Sequence, residues 1–282
     1  MKKKRRLGPL LVLTVLGLLV WIPLWMILSG SLMGKNELAE NLGPVLSGAG
    51  GMAGWPVLPQ YPTLQPSVEL LLDSPSFFVM FWNTVKLVAP VLLGQLAVAV
   101  PAAWGFARYS FRGKKALYTL YIVLMMMPFQ VTMVSSYLVL DAMKLVNTRW
   151  AVILPAVFST FPVFLLVKFF RSIPQTLIDA AELDGANSWQ VFWHIGLPLG
   201  TPGILSAMVL GFLEYWNAIE QPLTFLQDQS LWPLSLYLPG ITADQAGISL
   251  VSSLVMMIPA LLVFLIGQKY LEQGIRAAGL KE

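Results

Sequence analysis

Read for hydrophobic and polar positions, the chain alternates long apolar runs with short polar breaks, and six of the runs are long enough to cross a bilayer as helices. They cover residues 7–28, 77–107, 116–140, 151–170, 203–226 and 248–270, each near the roughly 20 residues that a hydrocarbon core demands. Prolines punctuate several of them. Pro128, closing the run MMMP, is expected to kink the third span where neighbours satisfy the freed carbonyl. The first run follows KKKRR and is too long for the apolar part of a signal peptide, with no A-x-A after it, so it reads as a retained span.

Between the first two runs lies a segment rich in Gly and Pro, residues 31–76, with a short interfacial helix expected over 68–72. A second polar interruption is of another kind. Ser172 to Pro202 reads SIPQTLIDAAELDGANSWQVFWHIGLPLGTP, too charged to enter hydrocarbon at about 2.5 to 3.5 kcal/mol per central charge. Ser172 is a candidate cap and Pro174 a candidate first-turn residue, with Leu177, Ile178 and Ala181 on one helical face. Gly185 stops that helix after Asp184. Asn187 or Ser188 can recap the chain, and Trp189, Phe192 and Ile195 form a second apolar stripe, closed by Pro198 and Pro202. The expected product is two short helices with a sharp bend between them.

Composition agrees with a polytopic membrane protein. Of 282 residues 57% are hydrophobic and 11% charged, against a soluble average near 25% charged. Cysteine is absent and His194 is the only histidine, so no thiolate or multi-histidine metal site is expected. The net charge of +4 does not mark a nucleic-acid binder, because the basic residues bracket the apolar runs. Fourteen of the eighteen Lys and Arg fall on the segments that share a side with the amino terminus, which places both termini and the 172–202 loop in the cytoplasm. No G-x-x-x-x-G-K-[ST] phosphate loop is present, and one histidine with scattered carboxylates offers no catalytic constellation.

Polar residues inside the apolar runs are the candidates for a translocation path: Asn83, Gln95, Glu214, Trp216 and Asn217. Lys86 reads instead as a snorkelling side chain. Interhelical hydrogen bonding is the ordinary alternative for Asn83 and Gln95, and pairing with another chain the alternative for Glu214.

The loop carries a resemblance. Asp179, Ala180 and Ala181, then Asp184, Gly185 and Ala186, then Phe192, Ile195, Leu197 and Pro198 resemble the EAA loop of ABC importer permeases, with Asp179 where that family usually has Glu. The stretches AAWGFARYSFRGKK, FFRSIP, EYWNA and GIRAAGL extend the likeness to the carbohydrate-uptake branch, similar to the maltose-type permease subunit. The resemblance implies an all-α type I importer permease fold with six transmembrane helices in one domain over residues 1–282. It implies that the chain is not itself an enzyme, and that the loop is a coupling helix through which Asp179 to Glu182, Asp184 to Ala186, Phe192, Leu197 and Pro198 meet a partner. It further implies a second permease subunit in a heterodimer, two cytoplasmic ATPase subunits that bind the ATP and magnesium, an external binding protein, and a sugar carried across the cell membrane of a bacterium or archaeon. This chain itself is expected to bind no cofactor and no metal. The competing expectation is an ion-coupled secondary transporter of a small solute, which would need paired repeats with matching broken helices that the sequence does not display.

Overall fold

The computed structural model describes residues 7–46, 51–237 and 245–279. The basic run Lys2 to Arg6, Gly48 and Gly50, Asp244 and Lys281 lie outside the described residues. Among the described residues the structure is helical and without strands. It divides into two compact units, one of residues 1–78 with 237–259, the other of residues 79–236 with 260–282.

In the first unit, α1 (Leu7–Gly30) has a span-length apolar stretch with nothing buried. Only its last turns touch the rest of the unit, where Trp25 donates to the Val57 carbonyl and buried Ser29 accepts from Trp55. The 31–76 segment is not the plain loop that its glycines and prolines suggest, because it folds a helix, α2 (Lys35–Leu46), before α3 (Gln65–Asp73). Leu38 and Leu42, one helical turn apart on α2, reach a small core with Met33, Ala246, Trp55 and Leu250. The buried Glu37 carboxylate accepts the backbone N–H of Gln60 at 2.8 Å and pins the returning chain. Local tertiary contacts, which periodicity over so short a stretch does not display, make this segment ordered.

The second unit runs from α4 (Pro75–Arg108), whose first residues belong to the first unit, through α5 (Lys114–Met125), α6 (Phe129–Ala142), α7 (Trp150–Val157) and α8 (Thr160–Ser172). After these come α9 (Gln175–Leu183), α10 (Ser188–Val191), a π turn over Phe192–Gly196, α11 (Leu197–Trp216), α12 (Glu220–Phe225) and α13 (Ala246–Gly279), which the two units share. Among the described residues five helical stretches, α7 and α8 counted together, are long and apolar enough to cross a membrane, and the α5–α6 pair makes six when counted as one span.

Proline chemistry explains where the observed helices depart from the expected ones. The kink expected at Pro128 is a 104° bend between α5 and α6, with Pro128 extended at φ −67°, ψ 147°. The fourth span breaks at Phe158 and Ser159, where Pro162 has no N–H to offer the Phe158 carbonyl one turn back. The fifth span stops at Trp216 instead of running to 226. Pro222 cannot bond the Ala218 carbonyl, and Ser235 Oγ donates to that carbonyl at 2.5 Å in its place. At its other end this span begins early. Pro198 and Pro202 do not close the loop but lie within α11, which α10 enters through the π turn, so residues 188–216 form one continuous helical stretch.

Small residues set the closest helix contacts. A Cβ at Gly200 or Gly203 of α11 would strike the Phe170 or Phe169 ring of α8, and one at Gly94 of α4 would strike Val157 of α7. Such positions let backbones approach where no hydrophobic force drives helices together.

Candidate coupling elbow and membrane cavity

The 172–202 segment forms the elbow that its sequence predicts, with different joints. Ser172 does not cap it. It ends α8, donating its hydroxyl to the Phe169 carbonyl at 2.7 Å, and Pro174 occupies the position before α9. Gly185 makes the turn at φ +85°, a left-handed conformation that other residues enter at a cost of about 1–2 kcal/mol. Its N–H bonds the Glu182 carbonyl and that of Ala186 bonds the Ala181 carbonyl, closing the end of α9. Asn187 then opens α10 with a full capping box: its side chain accepts from Gln190 N at 2.9 Å while Gln190 Oε1 accepts from Asn187 N at 2.8 Å.

One side of the elbow is fastened to the spans. Ile178, Val191 and Phe192 are buried in a cluster with Trp104, Phe170 and Ile173, so Phe192 is an anchor beneath the elbow. Ala181, Ala186 and Leu197 pack half-buried at its margin. The Arg108 guanidinium, a residue that sequence reasoning did not single out, donates to the carbonyls of Phe170 and Ile173 and to Gln175 Oε1. It thereby joins the ends of α4, α8 and α9. Burial at about 1.5–3 kcal/mol for each apolar side chain and charge-assisted bonds to carbonyls fasten the elbow to its spans.

The other side is open. Asp179, Ala180, Glu182, Asp184, Gly185 and Pro198 are exposed. Leu183 is 89% exposed between two carboxylates, with Trp189 and Trp193 also bare. A hollow of about 320 Å³ opens beside Asp184, Gly185, Gln190 and His194. Leu183 thus stands bare between Glu182 and Asp184 at the end of α9. Its sequence signal was a leucine set between acidic residues, off the apolar stripe.

The polar residues of the spans separate into different settings. Glu214 and Tyr215 line a cavity of about 340 Å³, bordered by the α5–α6 bend and the α7–α8 break. Gln95, buried, stands behind its wall and donates to the Ala156 carbonyl at 2.9 Å and to the Tyr215 hydroxyl at 3.2 Å. Asn83 is elsewhere. It is buried and bonds the carbonyls of Ser230 and Trp232 while accepting from Arg149 Nη2 at 3.0 Å, tying the 226–236 segment to α4. Trp216 is buried, stacked on Phe212 with centroids 5.2 Å apart. Asn217 is exposed and turned back to the Leu213 carbonyl. The cavity instead gains Ser159, Thr160 and Gln221, which lie at helix breaks and carried no periodic signal. Asn83→Leu is accordingly expected to lower stability by about 1–3 kcal/mol, the cost of stranding buried carbonyls, with uptake falling only as folded protein falls. A loss of uptake at full thermal stability would instead place Asn83 in the path.

Residues 95–277 match the family described as binding-protein-dependent transport system inner membrane component. The chain belongs to that family. It is therefore a multi-pass membrane component of a transport system and not an enzyme. Over 222 residues it is 27% identical to the arabinooligosaccharides transport system permease protein AraQ of Halalkalibacterium halodurans, covering 78% of this chain and 80% of that one. Over 200 residues it is 28% identical to the lactose transport system permease protein LacG of Rhizobium radiobacter, covering 70% and 73%. Among solved structures, a bacterial ABC transporter involved in import of the acidic polysaccharide alginate contains a chain that superposes with a TM-score of 0.81 at 20% identity, over 96% of this chain and 98% of that one. This permease thus shares the fold of an ABC importer membrane subunit.

Proposed function

We propose that this permease forms one half of the translocation path of an ATP-driven sugar importer, driven through the elbow at 172–202. Cytoplasmic ATPase subunits grip the face carrying Asp179, Glu182, Leu183 and Asp184, a second permease supplies the other half of the path, and an external binding protein delivers the sugar. Both termini and the elbow face the cytoplasm, as the basic residues favour. The observation that carries this reading is the elbow's two-sidedness. One face is bolted to α4 and α8 by Arg108 and the Phe192 cluster, while the other presents an unsatisfied leucine among carboxylates. A rigid lever with a bare contact converts motion of a neighbour into motion of spans.

Sugar as cargo is supported by the relatives, whose names specify arabinooligosaccharides and lactose. A related solved assembly holds a periplasmic protein with bound alginate pentasaccharide, which supports the binding-protein partner. The test is purification of the tagged chain from its host in mild detergent, followed by reconstitution. An ATPase and a second permease are expected to co-purify, and uptake of an oligosaccharide is expected to require ATP inside the vesicle. Uptake driven by an ion gradient, with no ATPase attached, would overturn the proposal.

A further inference from the structure

The lining of the α5–α8 cavity is selective in a way that the coupling argument does not use. Its polar members apart from Glu214 are neutral hydroxyls and an amide, among them Ser136, Ser159, Thr160, Tyr215 and Gln221, with Phe129 and Phe161 as apolar walls. Hydroxyls and amides both donate and accept, which suits the mixed hydrogen-bonding rim of a saccharide, and flat apolar surfaces suit its C–H faces. Among the described residues Glu214 is the one carboxylate of the lining, and no Lys, Arg or His joins it.

We propose that Glu214 makes this wall a charge filter, admitting neutral or cationic saccharides and turning away uronates. The proposal rests on the reading of the chain as a sugar permease and adds the class of sugar. Cations at the ends of the spans, none of them in this lining, have other partners. Arg149 bonds Asn83, Arg108 bonds the carbonyls at the end of α8, Lys168 lies over the Phe164 ring and Arg171 over the Tyr118 ring. Glu220, bonded by Gln130 Nε2 at 2.6 Å, adds a second negative charge next to the lining residue Gln221. Two carboxylates about 6 Å apart at an effective dielectric near 20 repel by about a hundredfold in affinity. A uronate polymer of the kind carried by the structural neighbour would meet that repulsion with no cation on this wall to offset it. The fold likeness to the alginate importer therefore does not extend to its cargo.

The experiment uses the complete complex of this chain with its sister permease and ATPases in nanodiscs, without binding protein, so that selection is read at the permeases. Equilibrium binding is measured for maltotriose, for the fully deacetylated chitosan trisaccharide and for trigalacturonate. The wild type is expected to bind trigalacturonate at least tenfold more weakly than maltotriose, and the cationic trisaccharide at least as well as maltotriose. In Glu214→Gln the uronate gains at least tenfold relative to maltotriose and the cationic sugar loses relative to it. Glu214→Asp keeps the wild-type order. A readout that needs no variant is ionic strength: shortening the Debye length from about 30 Å to about 3 Å should narrow the uronate gap in the wild type. Saccharides that bind with the same ranking in wild type and Glu214→Gln, and at all salt concentrations, overturn the filter and leave the sugar path standing. A complex that hydrolyses ATP yet binds none of the three overturns the sugar path and the filter together.

Discussion

Leu183→Asp is expected to cut ATP-driven uptake at least tenfold while leaving the chain folded in the membrane. Leu183 ends α9, touches none of the buried cluster, and is 89% exposed. Its loss should change the stability of the chain by no more than about 0.5 kcal/mol, as for other surface positions. In the assembled importer the same side chain would be buried against the ATPase, where a leucine contributes about 1.5–3 kcal/mol, and a carboxylate in its place adds a desolvation penalty. At 1.4 kcal/mol per factor of ten, the loss in affinity is tenfold to more than a hundredfold. The measurements are uptake by vesicles loaded with ATP, the amount of ATPase retained on purification, and the melting temperature of the isolated chain. Normal uptake with the ATPase still attached would remove the elbow from the coupling pathway.

Gly200→Leu is expected to abolish most of the folded protein. The Cβ would enter the Phe170 ring, which is fully buried and packed at right angles to Trp104 with centroids 5.4 Å apart, leaving little room to move aside. Overpacking of this kind costs about 1–3 kcal/mol for a single added group, and here it parts α8 from α11, the helices that carry the elbow between them. Gly43→Ala serves as the contrast, since nothing stands within 4 Å of its Cβ position, and its yield should match the wild type. Detergent-extracted monodisperse protein and its melting temperature decide the matter. A Gly200→Leu protein as abundant and stable as wild type would show that the α8–α11 contact is not tight.

The elbow was the most legible part of the chain because its signals are local. Gly185 needed only its backbone freedom, and Asn187 with Gln190 needed only each other. Its anchoring was not legible, since Arg108 lies 67 residues before Gln175 and nothing in their spacing pairs them. The polar residues within the spans show the same limit. Asn83, Gln95 and Glu214 are alike as interruptions of apolar runs, yet one ties down the 226–236 segment, one braces a wall and one faces the cavity. Which partner a buried amide finds depends on chain segments up to 149 residues away, a distance at which sequence pattern carries no information.

By itself the sequence determined that this is a helical membrane protein with a bent polar elbow, because apolar run length, charge placement and turn chemistry act over a few residues and admit few alternatives. The tertiary structure decided where the helices break, and so where the cavity lies. A proline removes one hydrogen bond wherever it stands, but whether the helix breaks there, as at Pro128, or continues, as through Pro202, depends on neighbouring segments that only folding brings alongside.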